Sequence, residues 1–435
     1  PGRPRRVVPD RNDDRPMTTT MSTLRAVRRR WAGARERRRS ARTEVCVIGP
    51  GKAFLSGVTY HTYGLVTALA ERRPTQVVVL RDLVPQRLYP GRDRVGADLT
   101  HLRLPPDVDR VGTVDWWWGA GLLQAVGRLV LRPPAVVVVQ WWSAAVWHTE
   151  LALVLAARAR GARIVIEVHE LMDTAEQRHP LAGVWSRTLA PLLMAQADRV
   201  VVHNAVDQAE VVRRFGVRRS HVAVVAEPPF DHYDLRPAED RVGAAHDGEP
   251  GRDDDTPVEL LFFGTIRPYK GLEDLVAAFD LLASADDDGP EHRLTVVGET
   301  WEGWTGPAAA IARSPHRDRI RFVNRYVTDE EVDQAFRAAD LVVLPYRRSS
   351  TSGPLMVAMS YGLPVVITSV GGLPEAADGY DGAVLVEPGS VDRLVDGIRK
   401  AGPLVGVHHR AGRSWADVAS EHEAVYRAIG VGAPA

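Results

Sequence analysis

The sequence predicts an α/β protein of two facing domains, each a parallel β-sheet covered by helices. A chain of 435 residues is too long for one ordinary core and divides naturally into domains of about 150–200 residues. From residue 43 onward, strand-like runs alternate with helical patterns, and their continuous Val and Ile content is typical of strands buried on both faces. A polar, acidic interval at 236–256 interrupts this alternation and is interpreted as a linker. Because open parallel sheets bind ligands beyond the carboxyl ends of their strands, we expect the two domains to face each other there.

The first domain is predicted at 43–235. Its first strand, "EVCVIGP", ends in Gly and Pro, and the segment "VTYHTYGLVTALAERR" behind it has helical periodicity. The same reasoning predicts strands at 44–50, 75–82, 134–143, 162–170 and 198–204 and helices at 58–73, 149–161 and 181–197.

The second domain is predicted at 257–402, followed by a last segment, 403–435, that contains one more helix. Here the alternation of strand and helix resumes after the linker. The predicted strands cover 258–264, 292–298, 319–324, 340–345 and 363–368, and the helices cover 272–283, 328–338, 354–361 and 413–430.

Composition and charge exclude several classes of protein. Lys plus Arg and Asp plus Glu number 55 each, so the formal net charge is zero and nucleic acid is not an expected partner. Cys46 is the only cysteine, which excludes an intramolecular disulfide and suits a reducing compartment. No run reaches the roughly 20 apolar residues of a membrane span, and the N-terminus lacks a signal-peptide pattern. We therefore expect a cytoplasmic protein.

A basic segment precedes the first domain, within an extension at residues 1–42. The stretch "RAVRRRWAGARERRRSAR" holds nine Arg and one Glu, and Leu24, Val27 and Trp31 share one face of a possible helix. One interpretation is a solvated, disordered arm. The other is a helix through residues 23–42 that rests on an anionic membrane surface and holds the protein at the inner face of the plasma membrane.

Two cations stand in the turn "GTIRPYKG" between the strand 258–264 and the helix 272–283. Arg267 and Lys270 therefore lie at the carboxyl edge of the sheet, beside a helix N-terminus. Helix N-termini present unpaired N–H groups and partial positive charge, so this turn is a candidate phosphate site. A pair of ordinary surface cations is the alternative.

A second loop strengthens the phosphate hypothesis. In "RRSSTSGP", Thr351 or Ser352 can cap the helix that follows, and Gly353 allows an anion to approach the backbone closely. Two positively polarised helix starts at one edge of one sheet suit a nucleoside diphosphate. A well-capped helix without a ligand is the alternative.

With these segments in place, the chain resembles glycosyltransferase family 4. The stretches "FFGTIRPYKGLEDLVAAF", "LTVVGE", "FVNRYVTDEEVDQAFRAADLVVLPYR", "AMSYGLPVVITSVGGLPE" and "GAVLVEPGSVDRLVDGI" occur in the family's order, and the likeness spans about 43–400. It implies the GT-B fold of two facing Rossmann-like domains, with the last helix crossing back to the first domain. It also implies transfer of a hexose from a nucleotide-sugar donor to a glycan or lipid-linked acceptor, with retention and without a cofactor or metal ion.

The resemblance also implies roles for single residues. Arg267 and Lys270 would bind the donor diphosphate, and His169 would face the sugar as a third catalytic residue. The remaining donor-binding residues would be Gly57, Gly264, Arg325, Tyr326, Val327, Thr351, Ser352, Gly353 and Pro354. No Asp-x-Asp pair or His/Asp cluster is seen at a strand end, which agrees with chemistry that needs no metal. Glu375 matches a family position and has a structural alternative.

One departure from the family leaves the function open. The family's two glutamates, eight positions apart, align with Ser349 and Val357, and Val357 cannot form a hydrogen bond. A non-catalytic sugar-nucleotide-binding or scaffold subunit is therefore one alternative, and a GT-B nucleotide-sugar epimerase is another. The tryptophans at 116–118, 141, 142 and 147 either line an acceptor site or pack in the core. Sequence does not identify the donor base, the sugar or the acceptor.

Overall fold

The structure is a computed structural model of the chain. It describes residues 44–82, 99–143, 146–170, 190–234, 256–285, 290–301 and 303–432. The basic extension, nearly all of the linker and most of the helix predicted at 181–197 lie outside the described residues.

The first sheet has seven parallel strands in the order β3-β2-β1-β4-β5-β6-β7. Its central strands are runs of Val and Ile and are buried along their whole length, because helices cover both faces. In register, Val45 of β1 pairs with Thr75 on one side and Val136 on the other. The strands are β1 (Val45–Pro50), β2 (Thr75–Asp82), β3 (Asp109–Asp115), β4 (Val136–Trp141), β5 (Arg163–Val168), β6 (Arg199–Val202) and β7 (Val222–Val224).

Four helices of the described chain accompany this sheet. They are α1 (Gly57–Ala70), α2 (Ala120–Leu131), α3 (Trp147–Ala159) and α4 (Ala205–Phe215). The start of α4 is capped by Asn204, whose side chain accepts a hydrogen bond from the backbone N–H of Asp207. It ends at Gly216, which adopts the left-handed conformation with φ 64°.

The second sheet has six parallel strands in the order β10-β9-β8-β11-β12-β13. The strands are β8 (Val258–Phe263), β9 (His292–Val297), β10 (Ile320–Val323), β11 (Leu341–Leu344), β12 (Val365–Thr368) and β13 (Ala383–Val386). The helices are α5 (Leu272–Ala283), α6 (Gly306–Arg313), α7 (Asp329–Ala338), α8 (Gly353–Ser360), α9 (Leu373–Ala376) and α10 (Val391–Ala401). Its strand order is that of a nucleotide-binding Rossmann sheet.

The last helix, α11 (Trp415–Ala428), packs on the first sheet although it follows the second in sequence. Its Val418 and Tyr426 belong to the same hydrophobic core as Val45 and Val47 of β1. Gly64 of α1 lies so close to Trp415 that an added Cβ would come within 2.3 Å of the indole ring. The C-terminus therefore ties the two halves of the chain together.

The two parallel sheets confirm the predicted fold class. Strands β3, β7 and β13 and helices α2, α4, α6, α9 and α10 are elements that the sequence reasoning did not assign. Strand β3 contains charged and polar residues among its valines, and β7 is only three residues long. Neither strand therefore has the continuous apolar run that is typical of the central strands. Within the described residues, no helix combines the length and the apolarity needed to cross a bilayer.

A buried ion pair fastens α11 to the end of α1. The Nε of Arg73 donates to Oε1 of Glu423 at 2.5 Å, and a second guanidinium nitrogen bonds Oε2. The Arg73 side chain is fully buried and that of Glu423 is 11% exposed. Removing one partner would leave the other charge buried and uncompensated.

We expect Glu423→Ala to lower the free energy of unfolding by about 3–5 kcal/mol, measured by urea denaturation. The control is Asp396→Ala, which removes the exposed partner of Arg393, at 64% side-chain exposure. An exposed pair contributes at most about 1 kcal/mol, so equal losses in the two variants would contradict the prediction.

Candidate functional site

The strand orders place two pairs of loops at the same edges of their sheets. In the second sheet β8 lies between β9 and β11, so the segments after β8 and β11 leave the sheet side by side but in opposite directions. In the first sheet β1 and β4 have the same relation. These are the topological switch points at which open α/β sheets form crevices.

A cavity of about 250 Å³ lies between the two sheets at these edges. Most of the predicted donor-binding residues line it, namely Gly57, Gly264, Arg267, Lys270, Arg325, Tyr326, Val327, Gly353 and Pro354. Gly57 comes from the first sheet's half of the chain, and the others come from the second half. Segments about 200 residues apart in sequence thus meet at one place.

The two cations of the turn after β8 both lie on aromatic rings. The guanidinium carbon of Arg267 is 4.4 Å from the ring centroid of Trp301, and Nζ of Lys270 is 4.0 Å from that of Tyr346. These contacts hold the cations in place. Burial lowers the pKa of Lys270 below its ordinary value, and the positive charge of Arg267 lowers it further. An anion placed between the two cations would relieve this electrostatic strain.

Glycine allows the two phosphate-candidate segments to approach each other. Gly264, at the end of β8, has φ 112°, and an added Cβ would lie 2.9 Å from Cγ of Pro354 in the first turn of α8. Gly298, at the end of β9, is as restricted, because its Cβ would lie 2.0 Å from the carbonyl oxygen of Gly264. The start of α8 therefore lies directly beside the turn that carries Arg267.

Two predicted donor-binding residues do not line the cavity. Ser352 is buried and caps α8, with its Oγ accepting a hydrogen bond from the N–H of Leu355 at 3.3 Å. Thr351 precedes it and offers its backbone carbonyl to the hydroxyl of Ser349 at 2.8 Å. Both residues shape the helix start, and neither presents its side chain to the cavity.

His169 also lies outside the lining. Its ring turns into the protein, where Nε2 is 2.6 Å from Oε1 of Gln140 and Nδ1 is 3.1 Å from Nε2 of His203. The next residue, Glu170, lines the cavity and its charge acts on Lys270. Side chains at the end of a strand alternate in direction, so one step along the chain exchanges the inward position for the cavity-facing one.

The inward-facing histidine belongs to a buried cluster that the sequence analysis did not recognise. We define the histidine cluster as His61 of α1, Glu167 of β5, His169, His203 and Glu227. All but Glu227 are fully or almost fully buried, and Glu227's side chain is 6% exposed. The expectation from sequence concerned an Asp-x-Asp pair or a His/Asp cluster at a strand end, whereas this cluster combines histidines with glutamates. Its members are separated by up to 166 residues in sequence (from 61 to 227), and only the fold brings them together.

Burial and charge act in opposite directions within this cluster. Burial disfavours a charged His61, but the carboxylates of Glu167 and Glu227 outweigh it and raise the pKa of His61 to about 9. Burial and the neighbouring rings of His61 and His203 lower the pKa of His169 well below its usual range. His169 is therefore neutral at physiological pH.

Polar contacts join the two halves of the chain on either side of the cavity. On one side, Asp329 of α7 accepts hydrogen bonds from the hydroxyls of Tyr60 and Thr100 and from the backbone N–H of His101. Burial raises the pKa of Asp329, and these hydrogen bonds oppose that effect.

On the other side, the N-terminus of α4 meets the loop after β11. The side-chain amide of Asn204 donates to the carbonyl of Ser350, and the Ser350 hydroxyl donates to Asp207 at 2.5 Å. Glu375 accepts a hydrogen bond from the backbone N–H of Ala205 at 2.8 Å. Glu375 thus caps a helix of the other half of the chain.

The aromatic residues divide between core and site. Trp141 is buried in the first sheet's core, whereas Trp117 is 70% exposed. Trp301, which sequence reasoning did not select, lines the cavity together with Tyr233 and Tyr60. The only feature of the sequence that points to Trp301 is its position just beyond the end of β9, the strand beside β8.

Two family profiles cover most of the described chain. One, described as "Glycosyl transferase 4-like domain", matches residues 56–227, and one described as "Glycosyl transferases group 1" matches residues 257–401. The chain belongs to the group 1, GT4-like glycosyltransferase family.

Curated relatives of this glycosyltransferase chain include several D-inositol 3-phosphate glycosyltransferases. The protein from Streptomyces avermitilis is 31% identical over 253 residues, which are 56% of this chain and 51% of that protein. One from Catenulispora acidiphila is 28% identical over 317 residues, covering 65% of this chain and 70% of that protein. The chain spans only about half the length of the first of these relatives.

Solved structures share the GT-B fold with this family member. Sucrose-phosphate synthase from Thermosynechococcus elongatus has a TM-score of 0.55 and 17% identity, covering 89% of this chain and 96% of that one. HepE from Anabaena in complex with UDP-glucose has a TM-score of 0.53 and 15% identity, covering 89% and 98%. These likenesses confirm the predicted two-domain architecture.

Proposed function

We propose that the protein is a retaining glycosyltransferase that transfers a hexose from a nucleoside-diphosphate sugar to an acceptor. The observation that carries this proposal is the convergence of Arg267, Lys270 and the N-terminus of α8 on one cavity between two Rossmann-like sheets. Fixed cations and backbone N–H dipoles at one point are what a diphosphate leaving group requires.

The charges of the site explain how such a transfer would be accelerated. As the glycosidic bond to the diphosphate breaks, negative charge grows on the departing phosphate. Arg267 and Lys270 would stabilise that charge without moving their side chains, because contacts with aromatic rings already hold them in position. Two side-chain cations can supply the neutralisation that a divalent ion supplies elsewhere, so we expect turnover without added Mg²⁺ or Mn²⁺.

For Arg325, Tyr326 and Val327 we propose a base-binding role. They line the same cavity as Gly264 and Gly298, and their backbone groups can reach a nucleobase there. The structures of Anabaena HepE hold UDP and UDP-glucose, which favours a uridine nucleotide as the donor. Gly57 lies opposite, with open space around its Cα, where a phosphate can approach α1.

For the sugar itself, we propose Glu170 as the residue that faces it. Glu170 lines the cavity near Lys270, and His169 beneath it positions the strand end through its hydrogen bonds to Gln140 and His203. The role implied for His169 by the family resemblance thus becomes a positioning role.

A second cavity, of about 440 Å³, supports an acceptor that carries a phosphate. It lies on the other side of the loop after β1, and Lys52, Arg81 and Arg110 line it. Several relatives are named for D-inositol 3-phosphate, and lipid-linked glycans also carry phosphate. Both acceptor sources share this anionic group, and assays with a cyclitol phosphate and with a lipid-linked phosphate distinguish them.

One observation favours the alternative of a non-catalytic binding or scaffold subunit. Val357 lines the cavity at the position where the family carries a ribose-binding glutamate, and it is 1% exposed. An apolar wall there offers no hydrogen bond to a ribose.

Calorimetric titration separates enzyme from scaffold. Because Val357 cannot hold the ribose, we expect nucleoside diphosphates to bind and free nucleosides to bind at least tenfold more weakly. Turnover of the donor that binds best, with both acceptor classes present, supports the enzyme. Binding without turnover would favour the scaffold subunit, and absence of binding by the whole panel would contradict the donor site.

We expect Arg267→Ala and Lys270→Ala each to lower kcat/KM. The loss should correspond to about 2–4 kcal/mol of transition-state stabilisation. The matched control is Arg347→Ala, which removes a nearby cation that pairs with Asp274 and does not line the cavity. Wild-type turnover in the Arg267→Ala, Lys270→Ala double variant would refute the assignment.

The partial burial of Lys270 predicts an alkaline limb in the pH profile. Its pKa in the free protein is lowered by burial, so it loses its proton at a lower pH than an ordinary lysine. We expect kcat/KM to fall as the pH rises through that pKa, below about 10.4. Lys270→Arg keeps its charge and should shift this limb to higher pH, and an unchanged limb would assign it to another group.

A further inference from the structure

The histidine cluster has the arrangement of a metal centre. We propose that it binds one zinc ion through Nδ1 of His61, Nδ1 of His169, Nε2 of His203 and Oε1 of Glu227. This site adjoins the cavity, because its ligand His169 precedes the cavity-lining Glu170. The metal proposal itself does not depend on the proposed sugar transfer.

His169 and His203 make three hydrogen-bond contacts, but two neutral rings have only two N–H groups to donate. Nδ1 of His203 is 3.0 Å from the carbonyl oxygen of Val225, and Nε2 of His169 is 2.6 Å from Oε1 of Gln140. Both of these oxygens are acceptors. The Val225 carbonyl can only accept, and the Gln140 oxygen faces His169 because the amide nitrogen of Gln140 donates to Glu167 at 2.6 Å. Two neutral imidazoles carry two N–H groups, and these outer contacts use both.

The remaining nitrogens of these two rings then face each other with lone pairs. Nδ1 of His169 and Nε2 of His203 are 3.1 Å apart. Two lone pairs at that distance repel, unless an extra proton or a metal ion accepts both. A zinc ion bound to both nitrogens satisfies them and leaves each outer hydrogen bond intact.

His61 presents its second nitrogen to the same point. Its Nε2 is 3.1 Å from Oε1 of Glu167, so that nitrogen donates. Nδ1 lies 3.3 Å from Oε1 of Glu227 and forms an ion pair with it, although the angle is poor for a hydrogen bond. In the metal-free protein a proton on Nδ1 makes this contact an ion pair. A zinc ion can take the place of that proton, and Nδ1 and Oε1 then become two of its ligands.

Two distances between the proposed ligand atoms are close to those of a tetrahedral site, and a third is longer. Zinc–nitrogen bonds of 2.0–2.1 Å at tetrahedral angles place ligand atoms about 3.3 Å apart. Beside the 3.1 and 3.3 Å contacts, Oε1 of Glu227 is 3.9 Å from Nδ1 of His169. One donor atom from each of His61, Glu167, His169 and His203 lies within 4.8 Å of the others. The contact between Glu227 and His169 exceeds the tetrahedral spacing by about 0.6 Å, so these two side chains would move together when zinc binds.

The outer contacts are those that orient metal-binding histidines. Each ring donates its other N–H to an oxygen, which belongs to a carboxylate for His61, a backbone carbonyl for His203 and an amide for His169. Such contacts fix the tautomer and raise the basicity of the ligand. Imidazole nitrogens with one carboxylate favour zinc over Mg²⁺ or Ca²⁺, which prefer oxygen ligands.

The ion would be structural. Its ligands come from α1, the ends of β5 and β6 and the segment after β7, and Glu167 extends the network to His422 of α11 at 3.3 Å. The ion would therefore stabilise both the edge of the first sheet and α11 through one connected network of contacts. Loss of the ion should loosen both elements.

The test uses the untagged 435-residue chain, dialysed against metal-free buffer, and elemental analysis by mass spectrometry. We expect about one zinc per chain, and Co²⁺ added to the metal-free protein should give the intense visible absorption of a tetrahedral site. The melting temperature should fall on removal of zinc and recover on its return.

A graded set of variants locates the ion. His203→Gln and Glu227→Gln each remove a ligand and should weaken Co²⁺ binding by more than about 100-fold, whereas Glu167→Gln removes an outer contact and should weaken it by about 10–100-fold. The matched control is His409→Gln, which replaces a buried histidine that pairs with Asp381 in the other half of the chain. It should bind Co²⁺ like the wild type.

Two results would overturn the proposal. Absence of zinc from the purified protein, together with no Co²⁺ spectrum and no metal-dependent change in melting temperature, would leave protons as the only cations in the cluster. Unchanged binding in both His203→Gln and Glu227→Gln would place the ion elsewhere. The wild-type spectrum and melting measurements decide the matter even if a variant does not fold.

Discussion

The close backbone approach at the end of β8 is the constraint on which the cavity depends. Gly264 and Gly298 let the ends of β8 and β9 stack, and the first turn of α8 lies against them at Pro354. A side chain at Gly264 would push α8 away from the turn that holds Arg267 and Lys270, and one at Gly298 would displace the backbone of Gly264. The helix dipole and the two cations would then no longer act on one point, and in the proposed function their combined effect on a diphosphate would be lost.

A second constraint is the burial of charge beneath the first sheet's edge. Glu167 is fully buried, yet its carboxylate contacts His61, Gln140 and His422, which come from three elements. A buried carboxylate without partners would destabilise the fold strongly, so this residue fixes the relative positions of α1, β4 and α11. The Arg73–Glu423 pair does the same at the other end of α1. The C-terminal helix is thus held by polar contacts of His422 and Glu423 near its middle and by apolar contacts of Val418 and Tyr426 on either side of them.

Sequence reasoning found the parts of the fold and the site that are local in the chain. The central strands are unbroken apolar runs, and Arg267 and Lys270 share one turn with the strand that positions them. The exchange of His169 for Glu170 at the cavity could not be predicted, because it depends on which way a strand's last side chain points. The histidine cluster was missed for a different reason. Its members lie on separate elements, and only the strand order brings β5 and β6 together beneath α1.

The apolar lining at Val357 fits a site whose interactions serve the reaction more than ground-state binding. In the proposed function, a ribose contact is equally strong before and during bond breaking, so its absence weakens donor binding and leaves the barrier from the bound state unchanged. Contacts to the diphosphate strengthen as the leaving group gains charge, and these come from Arg267, Lys270 and the start of α8. In the proposed function, replacement of a ribose-binding carboxylate by valine would therefore raise the donor concentration that the protein needs, while the groups that would stabilise the transition state remain. The same replacement in a pure binding subunit would remove affinity with nothing retained in return, which is why the preserved cations favour the transferase over the scaffold.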